Sequence, residues 1–155
     1  MTPETSIYEF AKQGLALSAN KTAIWFYGKS ITYKELFRKI DNVADNLYAL
    51  GVRQGTVVTI HLPNCPQAVM AVYAVGKLGG ICNMVHPLIP LNGLRENMQF
   101  TESNILITGG HFQDCNQVDF TDRLLYVDIS AHMGFAQKLG YRLKACVHLP
   151  SNAIC

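Results

Sequence analysis

The sequence has little charge and no long apolar run. Charged residues make up 15% of the 155 residues, the hydrophobic fraction is 49%, and the net charge is +2. This balance is typical of a folded domain with a well-buried core and excludes a disordered chain. The first 130 residues contain no cluster of lysine or arginine, which disfavours nucleic-acid binding. The most apolar window, Ala68 to Val75, is far shorter than a helix that spans a bilayer.

The sequence also lacks the features of an exported, disulfide-bonded protein. Its first ten residues, MTPETSIYEF, contain no basic region followed by an apolar stretch, so we expect no secretory signal. The cysteines are odd in number and widely spaced, which favours reduced thiols in a cytoplasmic protein. They are Cys65, Cys82, Cys115, Cys146 and Cys155.

The clearest positive pattern is a helix that begins after Thr32. Thr32 and Glu35 form a capping box, and an apolar stripe follows at spacings of four and three. Gly51 and Val52 predict a Schellman stop. The stripe consists of Leu36, Ile40, Val43, Leu47 and Leu50.

Strands and helices alternate along most of the chain, which predicts an α/β fold: a layered domain whose mainly parallel sheet is flanked by helices. An N-terminal helix and a short hairpin, with its turn at Gly28-Lys29, come first. Asn64 is the expected cap of a buried helix. The predicted helices are Ile7 to Leu17, Cys65 to Leu78, Leu91 to Ser103 and Phe135 to Cys146. The predicted strands are Thr22 to Tyr27, Ser30 to Tyr33, Val57 to Leu62, Ile81 to Val85, Asn104 to Thr108 and Leu124 to Ile129.

Four segments carry a family resemblance. They are ITYKEL (31–36), AVGKLGG (74–80) running into NMVHPL (83–88), TESNILIT (101–108) and MGFAQKLGYRLK (133–144). With these segments in this order, the chain resembles the N-terminal portion of the adenylate-forming enzymes, which include acyl-CoA synthetases, luciferases and peptide-synthetase adenylation domains. The last segment is similar to one found in fatty-acyl synthetases.

The resemblance implies acid activation in two steps. A carboxylic acid and ATP give an acyl-adenylate, and coenzyme A then takes the acyl group, with Mg²⁺ on the phosphates. The family's Ser/Thr/Gly-rich loop ending in Pro-Lys-Gly, its aromatic-Thr-Glu motif, its ribose-binding aspartate and its C-terminal lysine have no counterpart here. We therefore assign no catalytic, cofactor-binding or metal-binding residue and predict that the chain alone is inactive. Residues 1–130 are the expected first subdomain, and residues 131–155 are a basic amphipathic linker leading to a remainder of the enzyme.

Three glycine-containing segments could be mistaken for phosphate sites. Gly28-Lys29-Ser30 lacks the earlier glycine of a phosphate loop and reads as a hairpin turn. The segment from Gly76 to Gly80 ends a helix, whereas anions bind at helix N-termini. Thr108-Gly109-Gly110 follows a strand and is the best candidate for an anion-binding turn, although it lacks a lysine.

Other readings stay open at this point. His61 with Cys65, His111 with Cys115, and Cys146 with His148 are pairs without the further ligands that a zinc site needs. The segment from Met133 to Cys146 is an alternative membrane-surface helix. The low fraction of charged residues favours an apolar surface that packs against a partner or mediates self-association. The alternative function is a stand-alone, non-catalytic α/β binding or interaction module.

Overall fold

A computed structural model describes residues 6–109, 118–121, 123–134 and 138. The helices are α1 (Ile7–Gln13), α2 (Leu15–Ser18), α3 (Tyr33–Ala49), α4 (Pro66–Lys77) and α5 (Leu91–Phe100). The strands are β1 (Thr22–Phe26), β2 (Lys29–Thr32), β3 (Val57–His61), β4 (Ile81–Met84), β5 (Ile105–Gly109) and β6 (Arg123–Val127), and a 3₁₀ turn (Ile129–His132) follows.

The described strands form two sheets. Strands β1 and β2 make an antiparallel hairpin, and the other four strands pair in the order β4-β3-β5-β6. All three pairings of the second sheet are parallel. The predicted α/β fold with a parallel sheet and an N-terminal hairpin is therefore confirmed. The strand order reverses between β3 and β5, because β4 lies on one side of β3 and the later strands lie on the other.

Helix α3 begins and ends as its sequence predicts. The Thr32 hydroxyl accepts from the Glu35 backbone N–H at 3.3 Å, and the Glu35 carboxylate accepts from the Thr32 N–H at 3.0 Å. At the other end the Val52 N–H donates to the Leu47 carbonyl oxygen at 2.9 Å, which is the long bond of a Schellman motif. Leu47 and Val52 are both fully buried.

Three local predictions were wrong. The first helix stops at Gln13, and a separate short helix follows Gly14. The hairpin turn is at Tyr27-Gly28 rather than Gly28-Lys29, since both of its residues have positive φ (42° and 80°), as a type I′ turn requires, and Lys29 already pairs with Phe26. The N-cap of α4 is Cys65 and not Asn64, and it makes no side-chain capping bond.

The parallel sheet has a large core on one face and a smaller one on the other. Val58, Ile60 and Ile107 alternate onto the face covered by α3 and α4. Leu106 faces the other way and packs in a cluster with Leu94 of α5. Tyr8 ties α1 to this body: its hydroxyl donates to Asp41 at 2.5 Å, and Asp41 also binds Lys77 at 2.6 Å.

Candidate functional site

The carboxyl ends of β3 and β5 meet at the point where the strand order reverses. In open α/β sheets this is the place where ligands bind. His61 ends β3, and Thr108 is the next-to-last residue of β5. The His61 Nδ1 and the Thr108 hydroxyl oxygen lie 2.9 Å apart, and both residues are fully buried. The fold thus brings together two residues that belong to separate motifs in the sequence.

His61 is a neutral, buried imidazole at pH 7. Burial lowers its pKa below the ordinary histidine value, the neighbouring His86 lowers it further, and only a hydrogen bond to the Pro87 backbone works in the opposite direction. A neutral ring that is bonded to a buried threonine holds two strands together. It is poorly placed to take a proton from a substrate in solvent.

Gly109 belongs to strand β5 and not to a loop. It pairs with Val127 of β6. A Cβ built at Gly109 would lie 2.2 Å from the Val127 carbonyl oxygen, so this position needs glycine because β6 passes too close for any side chain. The structure therefore places Thr108 and Gly109 in a strand rather than in an anion-binding turn, and the Thr108 hydroxyl is already bonded to His61. Gly110 lies outside the described residues.

The remaining sequence motifs are structural where they are described. Gly28 is in the hairpin turn, and Lys29 and Ser30 are in β2. Gly76 lies in the last turn of α4, and Gly79 follows the end of that helix. Among residues 6–109, 118–121, 123–134 and 138, no three His, Cys, Asp or Glu side chains group as metal ligands. The pairs His111 with Cys115 and Cys146 with His148 lie outside the described residues, as does nearly all of the predicted helix from Phe135.

A cavity of about 200 Å³ lies on the α3 and α4 face of the sheet, beside the carboxyl end of β6. Its apolar wall consists of Val43, Met70, Ala71, Ile107, Leu125 and Val127. Its polar groups come from Lys39, Asn42, Asn46, Gln67, Asp128 and His132. Gln67 joins two of these elements, because its Nε2 donates to the Asp128 carbonyl oxygen at 2.8 Å.

Sequence reasoning missed this cavity. It did not single out Gln67, Asp128 or His132 as site residues. No motif could have found the cavity, since its walls come from three helical segments and two strands that are far apart in the chain.

A profile of the AMP-binding enzyme family matches residues 10–139 of this sequence. The chain belongs to this family. The match includes all six strands and both helices that cover the larger core. It agrees with the resemblance inferred from residues 31–36 and 74–88.

Curated members of the family are longer acid–CoA ligases. The chain is 32% identical over 130 residues to acetyl-coenzyme A synthetase 1 of Saccharomyces cerevisiae, which covers 79% of this chain and 18% of that enzyme. It is 27% identical over 153 residues to the long-chain-fatty-acid–CoA ligase of Bacillus subtilis, covering 95% of this chain and 27% of that enzyme. The chain thus spans about a fifth to a quarter of the length of these relatives.

The fold is also that of a solved protein. The N-terminal subdomain of Klebsiella oxytoca NpsA, solved with 3-hydroxybenzoyl-AMSN, superposes with a TM-score of 0.68 at 17% identity, over 94% of this chain and 33% of that one. This likeness concerns the fold alone. In the part of the chain that the structure describes, no helix is long and apolar enough to cross a membrane.

Proposed function

We propose that this chain is the N-terminal subdomain of an AMP-forming acid–CoA ligase. The observation that carries the proposal is the family match over residues 10–139, together with relatives that are acid–CoA ligases several times longer. In the complete enzyme a carboxylic acid would react with ATP to give an acyl-adenylate and pyrophosphate. The thiol of coenzyme A would then take the acyl group.

The described residues do not fit ATP or Mg²⁺. The best candidate for an anion-binding turn, at Thr108 and Gly109, lies in a strand. The Thr108 hydroxyl is bonded to His61, and β6 fills the position that a side chain at Gly109 would occupy. No described set of three His, Cys, Asp or Glu side chains could hold a metal. We therefore assign no step of the reaction to the described residues. Its role is to form the parallel-sheet scaffold against which the phosphate-binding parts assemble.

We further propose that residues 1–130 form the subdomain and that residues 131–155 lead on to the remainder of a cytoplasmic enzyme. We expect the remainder of the enzyme to pack against the exposed apolar surface of this subdomain. That surface includes Trp25 (70% exposed), Met84 (56%) and Leu88 (76%). A fatty acid is the proposed substrate, supported by the resemblance of residues 133–144 and by the Bacillus subtilis relative.

An ATP–pyrophosphate exchange assay with a panel of acetate, aromatic acids and fatty acids tests this function. The 155-residue chain should give no exchange above a blank, while the Bacillus subtilis ligase, run in parallel, should respond to long-chain acids. Acid-dependent exchange by the chain alone would contradict the assignment of catalysis to a remainder. Sequencing the transcript beyond the codon for Cys155 is the companion test, since the proposal requires a Ser/Thr/Gly-rich loop ending in Pro-Lys-Gly.

A second candidate function is a stand-alone binding module, and the cavity beside β6 favours it. A module of this kind should be a stable monomer or a defined dimer by light scattering, and it should be stabilised by a ligand. Aggregation without stabilisation by any ligand would count against it.

A further inference from the structure

An apolar groove of about 410 Å³ lies between strand β1 and helix α4. Its walls include Ile24 and Phe26 of β1, Val69 and Val72 of α4, and Met84 at the end of β4. None of the described residues that line it carries a charge. The groove is open to solvent, since Val69 is 37% exposed and Met84 is 56% exposed. Covering this surface would remove apolar side chains from water and would therefore stabilise the fold.

The side chains of a polypeptide suit this groove better than a small polar ligand does. Sites for small molecules enclose most of the ligand and contain a few convergent polar groups. Here the described lining offers only the amide of Asn64, the buried thiol of Cys65 and the hydroxyl of Tyr73. The occupant should therefore present a row of uncharged, apolar side chains.

The chain itself comes next to this groove where the described residues end. The Gly134 N–H donates to the Tyr27 carbonyl oxygen at 3.0 Å. Tyr27 directly follows Phe26, so the backbone at Gly134 is held within one residue of the groove wall. The Lys138 N–H in turn donates to the Gly134 carbonyl oxygen at 2.8 Å, which is the hydrogen bond of an α-helix. Lys138 is helical, so a helical turn begins at this point.

The sequence from this point onward supplies an apolar stripe of the kind that the groove requires. Apolar residues recur at spacings of four and three, which places them on one face of a helix, with Lys138 and Arg142 beside them. A helix over residues 135–146 would be about 18 Å long, as long as α4, which also has 12 residues. The stripe consists of Phe135, Leu139, Leu143 and Cys146.

We propose that residues 135–146 of this chain form a helix that docks against α4 and covers the groove with this stripe. Leu139 and Leu143 then pack against Val69 and Met84, while the basic side chains stay in solvent. Of the exposed apolar surface described above, this segment covers Met84 and leaves Trp25 and Leu88 to the remainder of the enzyme. The inference depends on the groove and on the position of Gly134, and it does not depend on the proposed ligase activity.

Contacts between methyl groups test the docking directly. In a sample of the 155-residue chain with isotope-labelled methionine and leucine methyl groups, we expect nuclear Overhauser contacts between Met84 and Leu139 or Leu143. A second sample mixes a chain labelled only at methionine with a chain labelled only at leucine. The contacts should be absent from this mixture, because they lie within one chain, whereas docking of a second copy would preserve them.

Substitutions in the groove should remove these contacts. Val69→Asp places a charge in the apolar wall and should abolish the contacts of Met84 with the two leucines. Phe100→Asp is the matched control, because it makes the same kind of change on α5 at a position that is 89% exposed. It should leave the contacts as they are in the wild type. Circular dichroism checks that each variant is folded.

Substitutions in the docking segment provide a second readout. Leu143→Gln removes an apolar side chain from the stripe and should speed the hydrogen exchange of the backbone amides of residues 139–146 roughly tenfold, because the burial of one leucine is lost. Tyr141→Gln is the matched control on the opposite face of the helix and should leave these exchange rates unchanged.

Three results would overturn the proposal. One is the absence of contacts between Met84 and both leucines, which would leave the groove to the remainder of the enzyme. Another is contacts that persist in the mixed sample, which would assign the groove to a second copy. The third is equal acceleration of exchange in Leu143→Gln and Tyr141→Gln. If Val69→Asp does not fold, the wild-type contacts and the two exchange measurements still decide the question.

Discussion

Replacing Gly109 by alanine should break the end of the β5–β6 pairing. The new Cβ would lie 2.2 Å from the Val127 carbonyl oxygen, and real Cβ contacts are not found below 3.0 Å. The oxygen belongs to the backbone of the paired strand, so it cannot rotate away as a side chain can. Strand β6 must move by about 0.8 Å to restore a 3.0 Å contact.

The cost can be estimated from two contributions. Forcing an extra carbon into a packed position costs about 1–3 kcal/mol, and the loss of a ladder hydrogen bond adds about 1 kcal/mol. We therefore expect Gly109→Ala to lower the free energy of unfolding by about 3 kcal/mol. For a chain of this length that corresponds to a fall of about 9 °C in Tm.

Variants at two other glycines distinguish destabilisation by a steric clash from destabilisation by backbone strain. Gly55 has a φ of +80° and nothing within 4 Å of its Cβ position, so Gly55→Ala should cost about 1 kcal/mol from the left-handed backbone alone. Gly14 has a φ of −77°, so Gly14→Ala should be neutral or stabilising by about 0.5 kcal/mol. Urea unfolding followed by circular dichroism measures all three variants. A cost for Gly109→Ala no larger than that for Gly55→Ala would refute the close approach of β6.

Three further predictions concern other parts of the fold. Thr32→Ala removes the capping box of α3 and should cost about 1 kcal/mol in urea unfolding. Ile60→Ala, at a fully buried position of the central strand, should cost about 2–5 kcal/mol in the same assay. Burial works to raise the pKa of Asp41, but Lys77 and the Tyr8 hydroxyl outweigh it and hold the pKa below its usual value. Stability from this carboxylate is therefore present above the ordinary aspartate pKa of about 3.9 and is lost as pH falls through the lower, folded value. Because the pair is partly exposed, the loss should be only about 0.5 kcal/mol, and Asp41→Asn should flatten the fall in stability measured by acid titration of the unfolding midpoint.

The Ile60→Ala prediction has a matched control. Leu88→Ala changes an apolar residue that is 76% exposed, and it should alter stability by less than about 0.5 kcal/mol. An acid response of Asp41→Asn equal to that of the wild type would contradict a role for the ion pair with Lys77.

Elements specified by neighbouring residues could be predicted from the sequence. Helix α3 is the clearest case, because its capping box and its Schellman stop each depend on residues within one helical turn. The strands of the parallel sheet were found for the same reason, as short, largely apolar runs. The hairpin turn was misplaced by one residue because Tyr27, a good strand former, adopts a positive φ that only the paired strand requires.

Features that depend on distant segments could not be predicted. The sequence made Gly109 part of a candidate anion-binding turn, and only the position of β6 shows that it is a strand residue in a tight contact. The cavity is a similar case, since Gln67 and His132 meet there only after α4 has packed on the sheet. The family resemblance supplied what local patterns could not, because it places whole segments in one known arrangement.

The strand order has a consequence for how the chain folds during synthesis. The central strand β3 pairs with β4, which leaves the ribosome only one helix later, as the pairing of Val57 with Ile81 requires. Helix α3 is already made by then, so the unit from α3 to β4 can close as an early nucleus, before β5 emerges. Strands β5 and β6 then add to the open side of β3 one after the other. Among the four described strands of this sheet, β6 is therefore the last to join.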